Sequence, residues 1–262
     1  MAEQSLPRQT GDAERKPGRV RTIATTILVL ASLATLLALG TWQVERLHWK
    51  EGLLADIAAR RAAPPVPLAE IEAIEKSGGD IEYRRVTVSG TFDHSRERHF
   101  FATFEGRTGF YVYTPMTLAD GRILLVNRGF VPYEMKEPAT RKAGEVIGEQ
   151  YITGYARSRL AAKPSFAVPD NDPAKNIFYW KDFGVMASSA GLDPSKLVPF
   201  FVDADASTKN PGGYPLGGVT QFDLPNSHLQ YAVTWYGLAA ALIAVVIGMR
   251  LRGRSERASR AR

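Results

Sequence analysis

His228, Tyr231 and Trp235 stand at the threshold of a long apolar run, three and seven positions apart. A helix there carries an imidazole and two aromatic rings on one face. Neutral imidazole is a suitable axial ligand for haem iron, and flat apolar rings can wall a porphyrin. The same triplet can equally form an interfacial anchor whose histidine hydrogen-bonds the adjacent loop. The residues by themselves leave both readings open.

The other three histidines are His48, His94 and His99. Antiparallel passage of two terminal helices would return His48 to the level of His228 as a second axial ligand; the alternative is a His48 that faces water. His94 and His99 flank a turn that holds Arg96, Glu97 and Arg98. No third ligand stands at a suitable spacing, so the expectation is solvated turn residues and no metal site. Arg84, Arg85 and Arg128 could hold acidic groups, such as haem propionates or a partner's carboxylates, by bidentate hydrogen bonds, or could snorkel from a sheet edge to pair with the chain's own carboxylates. The chain has no cysteine, which excludes disulfides, a thiol nucleophile, c-type haem attachment and a thiolate copper site. No carboxylate pair, nucleophile and base, or phosphate loop has the right context, and Asn210-Pro211-Gly212-Gly213 lacks a flanking strand and helix. Enzymatic catalysis is not expected.

The elements that must position these residues are two uncharged segments, Ile23 to Gly40 and Leu229 to Met249. About twenty apolar residues at ~1.5 Å rise match the hydrocarbon thickness of a bilayer. The expected organisation is a basic tail over 1–21, a transmembrane helix over 22–44, a domain over 45–227, a second transmembrane helix over 228–249 and a basic tail over 250–262. A cleaved signal sequence ending near Ala38-Leu39-Gly40 is the alternative for the first span; its length and long leader favour a retained anchor. The formal charge of +6 resides in the tails, whose eleven bases outweigh Glu3, Asp12, Glu14 and Glu256, leaving the middle near −1. Arginines that abut apolar helices point to the membrane surface and its lipids rather than to nucleic acid. Short basic flanks stay cytoplasmic, so both termini point inside and the central domain outside. Ala240, Ala244 and Gly248, with Ala34 and Ala38 on the first span, are small residues that would let helices approach closely, either the two spans or a partner's helix.

Between the spans, helical spacing of Trp42, Glu45, Arg46, Trp49, Leu53 and Ile57 extends the first helix as a stalk to about Arg61, where Pro64-Pro65-Val66-Pro67 ends it. A short acidic helix follows over Leu68 to Lys76. From Tyr83 the period becomes two, with Val86, Val88, Gly90 and Phe92 on one face. Further strands are expected over His99 to Phe104 and Gly109 to Met116, and Asp120-Gly121 should turn Tyr111 to Leu118 back along Arg122 to Val126. Tyr151 to Ala156, Ile177 to Trp180, Phe200 to Asp203 and Val219 to Asp223 read as strands too, and Asp182 as the cap of a helix that Gly191 stops. The fold class expected is an α+β membrane protein: N- and C-terminal transmembrane helices flank one antiparallel, β-rich extracytoplasmic domain, as a twisted sheet or partly closed barrel.

Several blocks, taken together and in order, resemble the Surfeit-1 family, which assists assembly of cytochrome c oxidase. They are Gly40-Thr41-Trp42-Gln43 with Arg46, Trp49 and Lys50; Tyr83-Arg84-Arg85-Val86 through Phe92; Thr114-Pro115; Gly121 followed by Val126-Asn127-Arg128-Gly129-Phe130-Val131-Pro132; and Asn226-Ser227-His228-Leu229-Gln230-Tyr231 with Thr234-Trp235-Tyr236-Gly237-Leu238-Ala239. The resemblance implies a bacterial inner-membrane assembly factor that acts during insertion of haem a into oxidase subunit I, with haem a synthase as a further partner. It also implies that haem a is held by the second-helix histidine, here His228. His48 is outside the family pattern, and Phe130 stands where tryptophan is common. The rival roles are a structural scaffold that holds an oxidase intermediate without touching haem, and a periplasmic ligand sensor anchored by two helices.

Overall fold

The computed structural model describes residues 18–260, the side chains of Arg257 and Arg260 excepted. The tail bases Arg8, Arg15 and Lys16 and the acids Glu3, Asp12 and Glu14 lie outside the described residues. The chain forms two units, one of Met1–Gly52 with Pro225–Arg262 and one of Leu53–Leu224.

The first unit holds the two apolar helices. Helix α1 spans Arg19–Ala62, and its stalk portion runs on to Pro64-Pro65 as the periodicity predicts. The C-terminal helix begins at His228 and extends to Arg260. Both are long and apolar enough to cross a membrane, with mean hydropathies of 2.2 and 2.0 over their most apolar windows.

The second unit is built on strands. Val66–Pro67 forms β1, α2 is Leu68–Lys76, and β2 to β6 are Arg85–Phe92, Arg98–Phe104, Arg107–Thr117, Ile123–Pro132 and Glu149–Arg157. Helix α3 (Phe183–Ser189), β7 (Leu197–Ala204) and the C-terminal helix α4 complete the chain. The sheet order is β1-β2-β6-β7-β5-β4-β3, and β2 also pairs with β4 through Thr91 with Thr117 and Phe92 with Met116. That extra pairing closes β2, β6, β7, β5 and β4 into a barrel.

The hairpin at Asp120-Gly121 forms as expected, with Thr117 opposite Ile123 and Gly121 at φ 82°. The sheet is not purely antiparallel. β7 lies parallel to β5, pairing Val126 with Val202 and Asn127 with Asp203, and β1 lies parallel to β2. A parallel neighbour needs a crossover, and the chain from β5 to β7 makes it by way of β6, which lies antiparallel to β7 on its other side. Burial on both faces goes with it: nine of the ten residues of β5 are buried. Val86, Val88, Leu124, Val126, Phe200 and Val202 fill the barrel, with Ile71 of α2 over them. Leu125 and Phe201 point the other way and meet Met186 and Ala187 of α3.

Two expected strands do not form ladders. Ile177 to Trp180 makes only isolated bridges, because the Asn171 carboxamide takes the Tyr179 amide (2.8 Å) and the Trp180 amide (3.2 Å) that a ladder would use. Val219 to Asp223 is held by side chains instead: Thr220 donates to Asp203, and Phe222 packs on Tyr83 and Tyr155 at 5.6 and 4.9 Å. Val66-Pro67, expected only to end the stalk, supplies a short edge strand. Proline is tolerated there because an edge leaves one N–H without a ladder partner anyway. Gly129 has φ 127°, and a Cβ there would lie 1.9 Å from the Leu216 carbonyl oxygen. Only glycine permits the exchange of backbone hydrogen bonds between Phe130 and Leu216 beside it (2.9 and 2.8 Å).

Asp182 caps α3 by accepting from the Val185 amide at 3.0 Å. Asp182→Ala should cost about 1 kcal/mol, which lowers the melting midpoint by about 2–4 °C in a domain of this size. Thermal unfolding of the two proteins side by side checks it, and an unchanged midpoint would mean that water replaces the cap at no cost.

Candidate functional site

Within the helical unit, one face of α1 meets one face of α4. Gly40 and Gln43 are buried on the first; Ala232 and Ala239 are buried on the second. A Cβ on Gly40 would lie 2.8 Å from the Tyr236 ring, so glycine is what allows this approach. The Tyr236 hydroxyl also shares a hydrogen bond with Thr41 Oγ1 at 3.1 Å.

His228 is half-buried at the first position of α4, and its Nδ1 donates to the Gln43 carboxamide oxygen at 2.7 Å. An amide oxygen can only accept, so this contact puts the ring proton on Nδ1 and leaves the lone pair on Nε2. That is how a ligating imidazole is oriented from behind: one nitrogen tied to an acceptor, the other free for an electrophile. Trp235, half-buried, shares the ridge of Ala232 and Ala239. Tyr231 is 52% exposed and lies off that ridge.

His48 is exposed, and five positions beyond Gln43 it stands about 140° further round the helix. The structure does not bring it to His228. Ala240 and Ala244 are exposed, as are Ala34 and Ala38, and Gly248 lies further round α4 than the buried ridge. The close approach runs instead through Gly40, Ala232 and Ala239, because the α1-facing ridge follows the spacing from His228.

The arginines of the second unit have separate fates. Arg128 is 1% exposed; it donates to Gly144 O, Asn210 Oδ1 and His94 Nδ1 and lies over the Phe92 ring at 4.9 Å. Burial pushes its guanidinium down to about 10, which still leaves it charged at neutral pH. Its donors are engaged inside the domain, a packing role. Arg84 donates to Asp80 O at 2.8 Å, and Arg85 reaches Asp205 at 3.5 Å while its Nε is buried without a partner. Both line a cleft of about 310 Å³ with Arg60 and Glu70.

Two groups of side chains had no prominence in the sequence. Glu97, His99 and Arg141 are 3, 3 and 4% exposed, and Glu97 accepts from both His99 Nε2 (2.9 Å) and Arg141. His99 is therefore not a solvated turn residue; its strand carries it inward against Phe110. The second group follows the register across the sheet, where Tyr113, Asn127, Asp203 and Tyr155 are successive partners. Asp203, 2% exposed, accepts from Asn127, Arg157 and Thr220. Lys181 stands over Tyr113 at 5.6 Å, and burial pulls its ammonium below the usual lysine range against the attraction of Asp203. Among the described residues no group of three or more His, Asp or Glu side chains could hold a metal ion.

Residues 30–240 match the model of the SURF1 family, a span that takes in Gln43, the barrel and His228. The chain belongs to the SURF1 family. It is 42% identical to Surfeit locus protein 1 of Rattus norvegicus over 224 residues, which cover 79% of this chain and 70% of the relative. It is 39% identical to the Homo sapiens protein of that name over 236 residues, 84% of this chain and 75% of the relative. A SURF1-like protein of Drosophila melanogaster is 33% identical over 79% of this chain and 71% of the relative. Gln43 and His228, 185 positions apart, both lie inside the matched span.

Proposed function

We propose that this SURF1 protein assists cytochrome c oxidase assembly by presenting haem a to subunit I, with His228 as the ligand to the cargo iron. SURF1 membership implies the role in oxidase assembly. The observation that carries the haem reading is the Gln43–His228 hydrogen bond, which frees Nε2 on a half-buried imidazole. The donor set fits: haem iron takes a neutral imidazole, and Trp235 supplies an apolar neighbour on the same ridge. Haem a is cargo here, and the protein's part is to hold and orient it, a non-enzymatic task. Tyr231, exposed, is open to the cargo or to a partner. Of Arg84, Arg85 and Arg128, the first two line a cleft that an acidic group can enter, and haem a synthase is the source of the cargo.

In this reading both helices cross the bacterial inner membrane. The arginines after Met249 hold the C-terminal end on the cytoplasmic side, and the barrel is periplasmic. A second reading has its own support: the same hydrogen bond ties α1 to α4, so His228 could serve a scaffold that steadies subunit I without touching haem. Deletion of the gene and complementation separate them. The deletion should lower haem a per assembled oxidase at least several-fold, the intact chain should restore it, and His228→Ala should not. Full restoration by His228→Ala would leave only a scaffold that does not depend on this tie, and normal oxidase in the deletion strain would end both.

A further inference from the structure

The two apolar helices touch at Gly40 and Tyr236 but leave an open groove of about 760 Å³ towards their other ends. Its walls are apolar, with Leu30 and Leu33 on α1 facing Leu242 and Val246 on α4. Its mouth is not: Arg21 and Arg250 stand there with the hydroxyl of Thr22. Arg19, Arg252 and Arg254 lie within a few positions, and Glu256 is the one acid in these ends among the described residues. Neither Arg21 nor Arg250 is in an ion pair among the described residues.

From Arg21 to Leu33 the groove follows α1 for about 18 Å at helical rise, close to the ~15 Å half-thickness of a hydrocarbon core. It is therefore one leaflet deep, charged where headgroups lie and apolar where chains lie. Basic pockets between membrane helices bind acidic lipid headgroups, and each arginine near the surface adds to the attraction. We infer that this groove is a binding site for an anionic phospholipid, its phosphate between Arg21 and Arg250 and an acyl chain between α1 and α4. The inference rests on the membrane-spanning reading of the helices and is independent of haem. Such a lipid would fill the groove and so brace the ends opposite His228.

The test uses the full chain purified in a neutral detergent, after alkaline extraction of membranes has established that it is integral. A chain released by alkali would overturn the membrane reading itself, a different result from an integral protein without lipid preference. Native mass spectrometry then compares dioleoylphosphatidylglycerol, dioleoylphosphatidylcholine and inorganic phosphate. Phosphatidylglycerol should bind at least ten-fold more tightly than phosphatidylcholine, and inorganic phosphate should not displace it. Arg21→Gln with Arg250→Gln should remove the preference, and Arg21→Lys with Arg250→Lys should retain most of it. Val246→Trp, which fills the groove and leaves the charges, should weaken both lipids. Equal binding of the two lipids, a preference that survives the double glutamine variant, or displacement by inorganic phosphate would each overturn the proposal. So would binding of a partner's helix in the groove that Val246→Trp blocks while lipid binding is unchanged.

Discussion

His228→Ala purified from cells that make haem a should carry less than about a tenth of the wild-type bound haem, and its absorption spectrum should collapse accordingly. The reason is geometric. Nε2 of His228 is the one imidazole nitrogen of the helical unit that is both unpaired and oriented from behind, through Nδ1 and Gln43. Gln43→Leu tests the orientation separately. It leaves the imidazole in place but removes the acceptor, so affinity for haem should fall by about 10–100-fold, as when other outer partners of metal-bound histidines are lost. Gln43→Glu keeps an acceptor and should stay near wild type. Added imidazole should restore a haem spectrum to His228→Ala, a response that loss of a purely structural tie would not give. Wild-type spectra in both His228→Ala and Gln43→Leu would sink the ligand reading and leave the scaffold.

Arg141→Met should be the most destabilising single change in the barrel unit, at about 3–5 kcal/mol, because it leaves a buried carboxylate without its cation. Glu97 accepts from Arg141 and His99, and Arg141 also donates to the Met135 and Lys136 carbonyls at 3.0 and 3.2 Å. Asn176 donates to His99 Nδ1 at 3.1 Å, which completes the network. A drop of about 10 °C or more in the melting midpoint is expected for a domain of this size. Glu97→Gln combined with Arg141→Met should recover part of the loss, since the unpaired charge goes too. If the double variant were no better than Arg141→Met, lost packing rather than the stranded charge would be the cause. The pH dependence follows from Glu97. Burial pushes its carboxyl up, but the hydrogen bonds and charges of His99 and Arg141 outweigh that and hold it below the usual range. A depressed folded value means that the stabilisation is complete above the unfolded value near ~4.3. It is lost as pH falls through the lower folded value. Thermal scans between about pH 3 and 6 should show wild type losing more of its midpoint at the acid end than the double variant.

Legibility in the sequence followed the range of the interaction. The stalk end, α2, the α3 cap and the β4–β5 hairpin depend on residues a few positions apart, and each forms where spacing and turn chemistry place it. Helix α2 is the clearest case, bounded by Pro67 and the Ser77-Gly78-Gly79 break. The misjudged residues have partners that periodicity does not reveal. Ile177 to Trp180 has strand-like composition, yet the Asn171 side chain, eight and nine positions back, takes the Tyr179 and Trp180 amides. The charged neighbours of His99 suggest a turn residue, yet one of them, Glu97, pairs inward with Arg141, 44 positions away. For Arg128 the sequence leaves a ligand contact and a structural pairing both open; Gly144, Asn210 and His94 take its donors.

The candidate site divides the same way. His228 was visible because an imidazole at the edge of an apolar run is costly to place there without use. Gln43, in Gly40-Thr41-Trp42-Gln43, carries no signal of its own role, although an amide three positions after a glycine at the end of a span marks the same helix face. By itself the sequence determined the two apolar helices, the period-two strands and the residue worth watching, because length, periodicity and capping act within a few turns of chain. Tertiary structure alone decided the parallel β5–β7 pairing, the closure of the barrel and the choice of Gln43 as partner to His228 across 185 positions. Those contacts depend on which faces meet once the apolar surfaces are buried, and composition does not encode that choice locally.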